Sequence, residues 1–170
     1  MWGQNRKPKT AMSPILERVQ EFLTAHELNA HPHGDGEALV VPMTLTHCRC
    51  SVVFHHAPGA DELVVMAMHP TIVPPERRVP VAEFLTRLNW NLTGNRFLLD
   101  WQDGEVRLRR DVDVLAVPGT DQIGTWFYSA CLLVDGFFPA LMNVVYRGMN
   151  PAQALEQGEA DYQKLVARED

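Results

Sequence analysis

The sequence has few of the residues that build reactive or metal-binding motifs. Its three cysteines, Cys48, Cys50 and Cys131, are an odd number without a CxxC pair, which is typical of reduced thiols rather than of a disulfide framework. No Gly-x-Ser-x-Gly motif is present, and Gly34-Asp35-Gly36 lacks the spacing and the following Lys-Ser/Thr of a phosphate-binding loop. We therefore expect neither an enzyme nor a protein that holds a cofactor.

An excess of basic residues is also lacking. The chain has 15 lysines and arginines against 21 acidic residues, which gives a net charge of −6. Nucleic-acid binders normally need a basic face to neutralise phosphates, so we expect no nucleic-acid partner. Two small basic groups are interpreted as a loose tail and a solvated face, namely Arg6, Lys7 and Lys9, and Arg107, Arg109 and Arg110.

Long apolar runs are missing as well. The first ten residues are polar, and no apolar segment of about 7–15 residues follows them, so we expect no signal peptide and a cytoplasmic location. The most apolar stretch, within residues 123–145, is interrupted by Asp135, Gly136 and Pro139, whereas a membrane span needs about 20 predominantly apolar residues. We therefore expect no membrane partner.

What is present is a clear hairpin followed by a long helix. Asp103-Gly104 is a strong turn signal between apolar alternations over residues 96–101 and 105–109, which predicts an antiparallel pair with one face to be covered. Apolar residues then recur at helical spacing from Ile123 to Val145, with Asp121 as the candidate N-cap. Gly148 is expected to end this helix.

Two prolines set expectations for the C-terminal helices. Pro139 has no N–H to donate to the carbonyl of Asp135, four residues earlier, which predicts a kink or a break. Asn150-Pro151 is a typical helix start, with asparagine as the cap and proline at the first position, so a last helix is expected to follow.

The remaining elements give one α+β domain. Ser13-Pro14 predicts the first helix, residues 31–36 a loop, residues 38–43, 48–55 and 63–69 three strands, and Pro80 the start of another helix. The order is α-β-β-β-α-β-β-α-α, with a single antiparallel sheet of about five strands covered by helices. We expect a flexible tail over residues 1–12, one domain over 13–166 and a second tail over 167–170.

Several short motifs follow one another in the C-terminal half, namely Leu88-Asn89, Gly94, Phe97, Asp100, Gly104-Glu105-Val106, Arg109, Asp135, Phe138-Pro139-Ala140-Leu141 and Pro151-Ala152-Gln153-Ala154-Leu155. In their order and spacing they resemble the YbjN family, whose members are also described as putative bacterial sensory transduction regulators. The resemblance covers roughly residues 10 to 160, with its motifs in the C-terminal half. It implies a fold like that of type III secretion chaperones and frequent dimerisation, in a family with no established enzymatic activity.

Histidines and cysteines concentrate in the N-terminal strands, which raises the hypothesis of a zinc site. A set would need Cys48, Cys50 and a histidine from a neighbouring strand. Alternation places His47 on the face opposite both thiols, and the spacing matches no zinc motif, so the favoured interpretation is core thiols with imidazoles at strand ends. A domain that senses zinc or a small ligand remains the alternative function.

Asp135 is a carboxylate inside an otherwise apolar helix. Because a buried unpaired carboxylate is costly, we expect it to pair with an arginine such as Arg109, or to accept hydrogen bonds from backbone amides near Pro139. Asp135 and Arg109 are therefore the candidate buried polar site.

The long helix carries more aromatic residues than one face can bury against a five-stranded sheet. The candidate protein-binding or dimer interface consists of Trp126, Phe127, Phe137, Phe138 and Met142. The alternative is a thick core over which the last helix folds. We expect a homodimer that binds a polypeptide client through a sheet edge or an aromatic groove, as a regulator or a chaperone.

Overall fold

In the computed structural model, which describes residues 11–167, four α-helices cover one antiparallel sheet. The helices are α1 (Pro14–Ala25), α2 (Arg78–Asn89), α3 (Thr120–Arg147) and α4 (Pro151–Val166). The strands are β1 (His31–His33), β2 (Ala38–Thr44), β3 (Arg49–His55), β4 (Glu62–Ile72), β5 (Arg96–Leu99) and β6 (Glu105–Asp113). A 3₁₀ turn at Pro75–Arg77 precedes α2.

The sheet order is β1-β2-β3-β4-β6-β5, and every neighbouring pair is antiparallel. The predicted α+β class and the single antiparallel sheet are confirmed, with six strands instead of about five. The additional strand is β1, in a segment predicted to be a loop. It has only three residues with Pro32 at its centre, so it shows no alternating pattern, and its pairing with Val40, Leu39 and Ala38 defines it.

Most helix ends follow from local chemistry. The Ser13 hydroxyl accepts the Leu16 N–H at 3.3 Å, and Asn150 Oδ1 accepts the Ala152 N–H at 2.9 Å, as these caps predict. Gly148 ends α3 with a φ of 66°, which a side chain would make strained. The N-cap predicted at Asp121 is wrong, because Gly119 caps α3 and Asp121 lies in its first turn.

The start of the second helix also differs from the prediction. It begins at Arg78, two residues before Pro80, and follows the 3₁₀ turn directly. Proline is tolerated in a first helical turn because its missing N–H would have no partner there. Met12, at the end of the predicted N-terminal tail, packs against the core. Residues 1–10 and 168–170, which make up most of the two predicted tails, lie outside the described residues.

The core lies between the sheet and α3, and α4 covers the far side of α3. Phe127 stacks on Phe54 of β3 with 6.2 Å between ring centroids, and Phe137 stacks on Tyr162 of α4 at 5.2 Å. By length and hydropathy α3 could cross a membrane, but 67% of its most apolar window is buried inside the protein. Burial to this extent is typical of a helix in the centre of a core.

The sheet face turned away from the helices is also apolar in its middle. Val40, Val53 and Met66 form one row across β2, β3 and β4, and they alternate with core residues. All three are half-buried. The sequence signal is the lack of alternation in residues 39–41, 52–54 and 63–68, which is typical of strands covered on both faces. We call the row Val40, Val53 and Met66 the outer row.

Candidate functional site

Asp135 holds the β2–β3 turn against α3. Its carboxylate accepts the backbone N–H groups of Thr46 at 3.2 Å, His47 at 2.6 Å and Cys48 at 3.3 Å. The residue is 4% exposed. Because three backbone N–H groups donate to its oxygens, this buried carboxylate is satisfied without an arginine. Its hydrogen bonds connect α3 to the β2–β3 turn.

Pro139 explains the second contact of this turn. The helix α3 runs without a break from Thr120 to Arg147, so the break predicted at Pro139 is not there. Pro139 leaves the Asp135 carbonyl without its intrahelical donor, and His47 Nδ1 lies 3.2 Å from that carbonyl oxygen. The imidazole thus takes the place of the missing N–H. We call the contacts of Asp135 with Thr46, His47 and Cys48 the Asp135 clamp.

The predicted pairing of Asp135 with Arg109 is wrong. Arg109 alternates with Leu108, which faces the core, and so points to the outer face of the sheet. There its Nε lies 2.6 Å from Asp111, and a second nitrogen lies 3.7 Å from Glu62. The alternative prediction of backbone donors was right in kind, but the donors belong to the β2–β3 turn.

The Cys48 thiol next to the clamp is a poor nucleophile. A hydrogen bond to Cys50, burial and the nearby carboxylate of Asp135 together raise the pKa of Cys48 far above that of a free thiol. The described residues contain no group of three or more histidine, cysteine, aspartate or glutamate side chains arranged to hold a metal ion. The zinc hypothesis therefore finds no support in this geometry.

His69 is a buried imidazole under the aromatic surface of α3. It is 5% exposed, its ring stacks on Phe138 at 5.2 Å, and its Nδ1 accepts the Thr71 N–H at 3.2 Å. Within residues 11–167 its Nε2 has no hydrogen-bond partner. Burial lowers the pKa of His69 from 6.5 to about 4, so the ring is neutral near pH 7.

The structure places the five residues predicted to form an interface in two different environments. Phe127 and Phe137 are buried in the core, while Trp126, Phe138 and Met142 are half-buried against it. The thick core under α4, which was the alternative, accounts for Phe137. The exposed aromatic residues are others, namely Trp90, Trp101, Tyr128 and Tyr146.

Phe138, Met142 and Tyr146 follow one another at four-residue spacing along α3, which places them on one stripe of the helix. They line a groove of about 720 Å³ together with His47 on the turn and Gln157 on α4. Tyr146 is 68% exposed. We call this groove the α3 groove. Tyr146 could have been found from the i, i+4, i+8 spacing, since it extends the stripe by one turn.

A second group of exposed apolar side chains lies at the end of β4 and around the β5–β6 hairpin tip. The Thr71 hydroxyl contacts Met142 Sδ at 3.4 Å, whereas Ile72, the next residue of β4, points to the opposite face of the sheet and is 57% exposed. Val73 N–H donates to Gly104 O at 2.8 Å, and Arg78 donates to the Trp101 carbonyl at 2.6 Å, which holds the hairpin tip beside α2. We call the exposed side chains Ile72, Val79 and Trp101 the sheet-end patch.

Both edges of the sheet are short and partly blocked to strand addition. At the β5 edge, Asn89 Nδ2 donates to Phe97 O at 2.9 Å, and its Oδ1 accepts Phe97 N–H at 2.7 Å. The amide thus engages the two outward backbone groups of Phe97, which a further strand could otherwise use. At the other edge, β1 is three residues long and has Pro32 at its centre. A client strand at either edge, as predicted, would find few backbone groups to pair with.

Comparisons with known proteins agree with this architecture. The family model YbjN, described as "Putative bacterial sensory transduction regulator", matches residues 16–142. A crystal structure of YbjN, a putative transcription regulator from E. coli, is similar with a TM-score of 0.52 and 16% identity, covering 79% of this chain and 93% of that one. At this identity the likeness shows the fold alone. A search of curated proteins found no match.

Proposed function

Because the chain belongs to the YbjN family, as the resemblance of its motifs predicted, we propose that it is a regulatory protein that acts by binding another polypeptide and not by catalysis. It works in the cytoplasm, where cysteines that form no disulfide, such as its three buried ones, stay reduced. The client surface is the α3 groove with the sheet-end patch beside it.

The observation that carries this proposal is the apolar stripe of Phe138, Met142 and Tyr146, which lines the α3 groove at the surface of the molecule. Tyr146, Ile72, Trp101 and Val79 are 68%, 57%, 56% and 69% exposed, and hydrogen bonds connect the elements that present them. Exposed apolar groups that gather in one place are typical of protein-interaction sites. Aromatic side chains supply much of the binding energy in such sites.

The polar groups of the molecule support binding over catalysis. A catalytic site needs an acid, a base or a nucleophile with a free atom directed at a substrate. The Asp135 oxygens are engaged by three backbone donors, and the pKa of the Cys48 thiol is raised. His69 lies beneath Phe138 with 5% exposure. These three side chains therefore have structural roles.

Co-purification from the native cells tests the client surface. The variant Ile72→Ala/Tyr146→Ala removes one aliphatic and one aromatic side chain from it, and Leu115→Ala/Tyr128→Ala removes a matched pair of exposed side chains elsewhere. We expect the first variant to retain at least tenfold less of a stoichiometric partner than the second, since each interface anchor contributes about 1–2 kcal/mol. Equal retention by both variants would refute this surface.

The outer row supports a homodimer as part of the same proposal. Several charged side chains of β6 are already paired within the chain, as Arg109 with Asp111 and Arg107 with Glu105. A partner for this face therefore needs no complementary charges. A second copy of the face meets that condition, since the valines and methionine of one copy pack equally well against their own kind.

The mass in solution tests the homodimer. Light scattering should give twice 19.2 kDa for the wild type and 19.2 kDa for Val53→Lys, which places a charge in the centre of the outer row. Leu115→Lys adds the same charge at a loop position that is 91% exposed and should remain dimeric. A wild-type monomer, or a dimer that persists in Val53→Lys, would refute the homodimer through this face.

A further inference from the structure

The charge of the α3 groove is opposite to that of the molecule as a whole. The chain has a net charge of −6, yet none of the described residues that line the groove is acidic. Arg147 lies at the end of the apolar stripe, directly after Tyr146, and is exposed. Among residues 11–167 no carboxylate lies within ion-pair distance of its guanidinium. The groove therefore has an unneutralised positive charge beside an apolar surface.

The charge of Arg147 is not needed to stabilise the end of α3. A helix C-terminus carries a partial negative charge, for which a basic residue in the last turn usually compensates. Here Arg77 does so, because its guanidinium donates to the carbonyl of Val144 and, from Nε at 3.1 Å, to that of Val145. It also lies beside Gly148, where a Cβ atom would be 3.8 Å from Arg77 Nη2. Arg77 is thus a second cation at this end of α3, and it leaves Arg147 available for a ligand.

The acidic residues closest to the groove do not reach its surface. The Asp135 carboxylate is 4% exposed and accepts three backbone N–H groups beneath the β2–β3 turn. Glu156 precedes Gln157 on α4, but it lines a separate cleft between α2 and α4. The positive charge of the groove is therefore left for a partner to neutralise.

The length of the groove fits one face of a helix. Phe138, Met142 and Tyr146 extend over about 12 Å of α3, at about 1.5 Å per residue. Apolar residues at positions i, i+3, i+4 and i+7 of a client helix extend over about 10.5 Å, so the two stripes match. A client strand has no comparable site, since both sheet edges are short and partly blocked.

From this charge and this length we infer that the client segment is an acidic amphipathic helix. Its apolar face packs on the stripe of α3, and an aspartate or glutamate beside that face pairs with Arg147. Basic amphipathic segments, which the net charge of the molecule would attract, are disfavoured at this site. The inference rests on the proposed function, because it names the kind of polypeptide that the α3 groove takes.

Fluorescence anisotropy with two labelled model peptides and the full chain tests the sign of this preference. Both peptides are about 18 residues long, since shorter helices are marginal in water. They share leucines at i, i+3, i+4 and i+7, and the flanking positions hold glutamate in one and lysine in the other. At low ionic strength the acidic peptide should bind at least about fivefold more tightly. Unspecific attraction to a chain of net charge −6 would favour the basic peptide instead.

Arg147→Glu and the matched control Arg49→Glu locate the preference. Both substitutions change the net charge equally, and Arg49 is exposed on β3, outside the groove. The ratio of the acidic to the basic affinity should fall about tenfold in Arg147→Glu and less than about twofold in Arg49→Glu. Arg147→Gln, which adds no carboxylate at the helix end, should lower the ratio about threefold. High salt should also reduce the preference of the wild type.

Tyr146→Ala separates this inference from the proposed function. It should weaken both peptides about tenfold, because it shortens the apolar stripe that they share. Equal affinities or a preference for the basic peptide, together with this loss, would refute the acidic client and leave the client surface in place. Equal falls of the ratio in Arg147→Glu and Arg49→Glu would refute it as well. Binding of neither peptide, or binding that Tyr146→Ala leaves unchanged, would contradict the α3 groove as a binding surface, and the inference with it.

Discussion

At the scale of single residues, His47 and Pro139 are coupled through the Asp135 carbonyl. His47→Ala should lower the free energy of unfolding by about 1 kcal/mol, because it removes the donor to an oxygen that Pro139 leaves free. In the Pro139→Ala background the new backbone N–H can donate to that oxygen, so the same substitution should cost less than half as much. Urea unfolding of the four proteins measures this coupling.

The control for the cycle is His55→Ala, since His55 lies on the outer face of β3 and does not contact the clamp. Its effect should be equal in the two backgrounds. If His47→Ala cost the same in the wild type as in the Pro139→Ala background, the imidazole would not be compensating for the proline.

His69 makes stability depend on pH in a defined window. Its pKa is 6.5 when unfolded and about 4 when folded, so between these values the unfolded chain binds more protons. The stabilisation is fully present above pH 6.5 and is lost as the pH falls towards 4, by about 3 kcal/mol in total. Urea unfolding of the wild type and His69→Asn across this window measures the difference.

In His69→Asn the amide oxygen can still accept the Thr71 N–H, but the side chain does not titrate. We expect this variant to lose about 3 kcal/mol less than the wild type between pH 6.5 and 4. His33→Asn, on the exposed strand β1, serves as a control for the loss of an imidazole. Parallel pH curves for the wild type and His69→Asn would contradict the assigned burial effect.

Sequence reasoning at this scale identified Asp135 but not its partners. A carboxylate within the apolar stripe of a helix indicates that this side chain has a buried polar partner. The donors belong to a turn 87 to 89 residues away, and only the packing of β2 and β3 against α3 brings them there. Arg109 has the charge that would complement Asp135, but its alternation with Leu108 directs it to the opposite face of the sheet.

At the scale of elements, Asn89 closes the β5 edge from the end of α2. Asn89→Leu should lower the free energy of unfolding by about 2 kcal/mol, because two backbone groups of Phe97 lose their partner. It should also increase self-association, since the freed groups can pair with another strand. Urea unfolding and size-exclusion chromatography measure the two effects.

Asn91→Leu is the matched control, because it makes the same change two residues later at an exposed position. It should change stability by less than about 0.5 kcal/mol and leave the elution volume unchanged. Association of Asn91→Leu to the same degree as Asn89→Leu would mean that added hydrophobicity, and not an opened edge, is responsible.

Elements with strong local signals were predictable. The Ser13 and Asn150 caps, Gly148 and the Asp103-Gly104 turn each fix backbone geometry within a few residues, and the structure has them all. The short strand β1 could not be predicted, since it depends on pairing with β2 and on nothing in its own three residues. The partner that the Asp135 carbonyl finds where Pro139 interrupts the hydrogen bonds of α3 is likewise distant in sequence, since it is His47.

At the scale of the whole molecule, the aromatic surplus of α3 has two explanations. Burial between the sheet and α4 accounts for Phe127 and Phe137, which sequence periodicity alone could not separate from their exposed neighbours. The stripe of Phe138, Met142 and Tyr146 remains at the surface. Which side of a long apolar helix stays open is decided by where the last helix folds, and that is a tertiary property.

The measurement that tests the central proposal most directly is photo-crosslinking in the native cells. A benzophenone amino acid is placed at position 146 in the α3 groove, and at position 128 as a control on the same helix, where the tyrosine is 45% exposed. We expect a discrete adduct with another protein from position 146 only, with a mass different from twice 19.2 kDa. No adduct at 146, the same adducts at both positions, or an adduct only with a second copy would contradict a client bound at this groove.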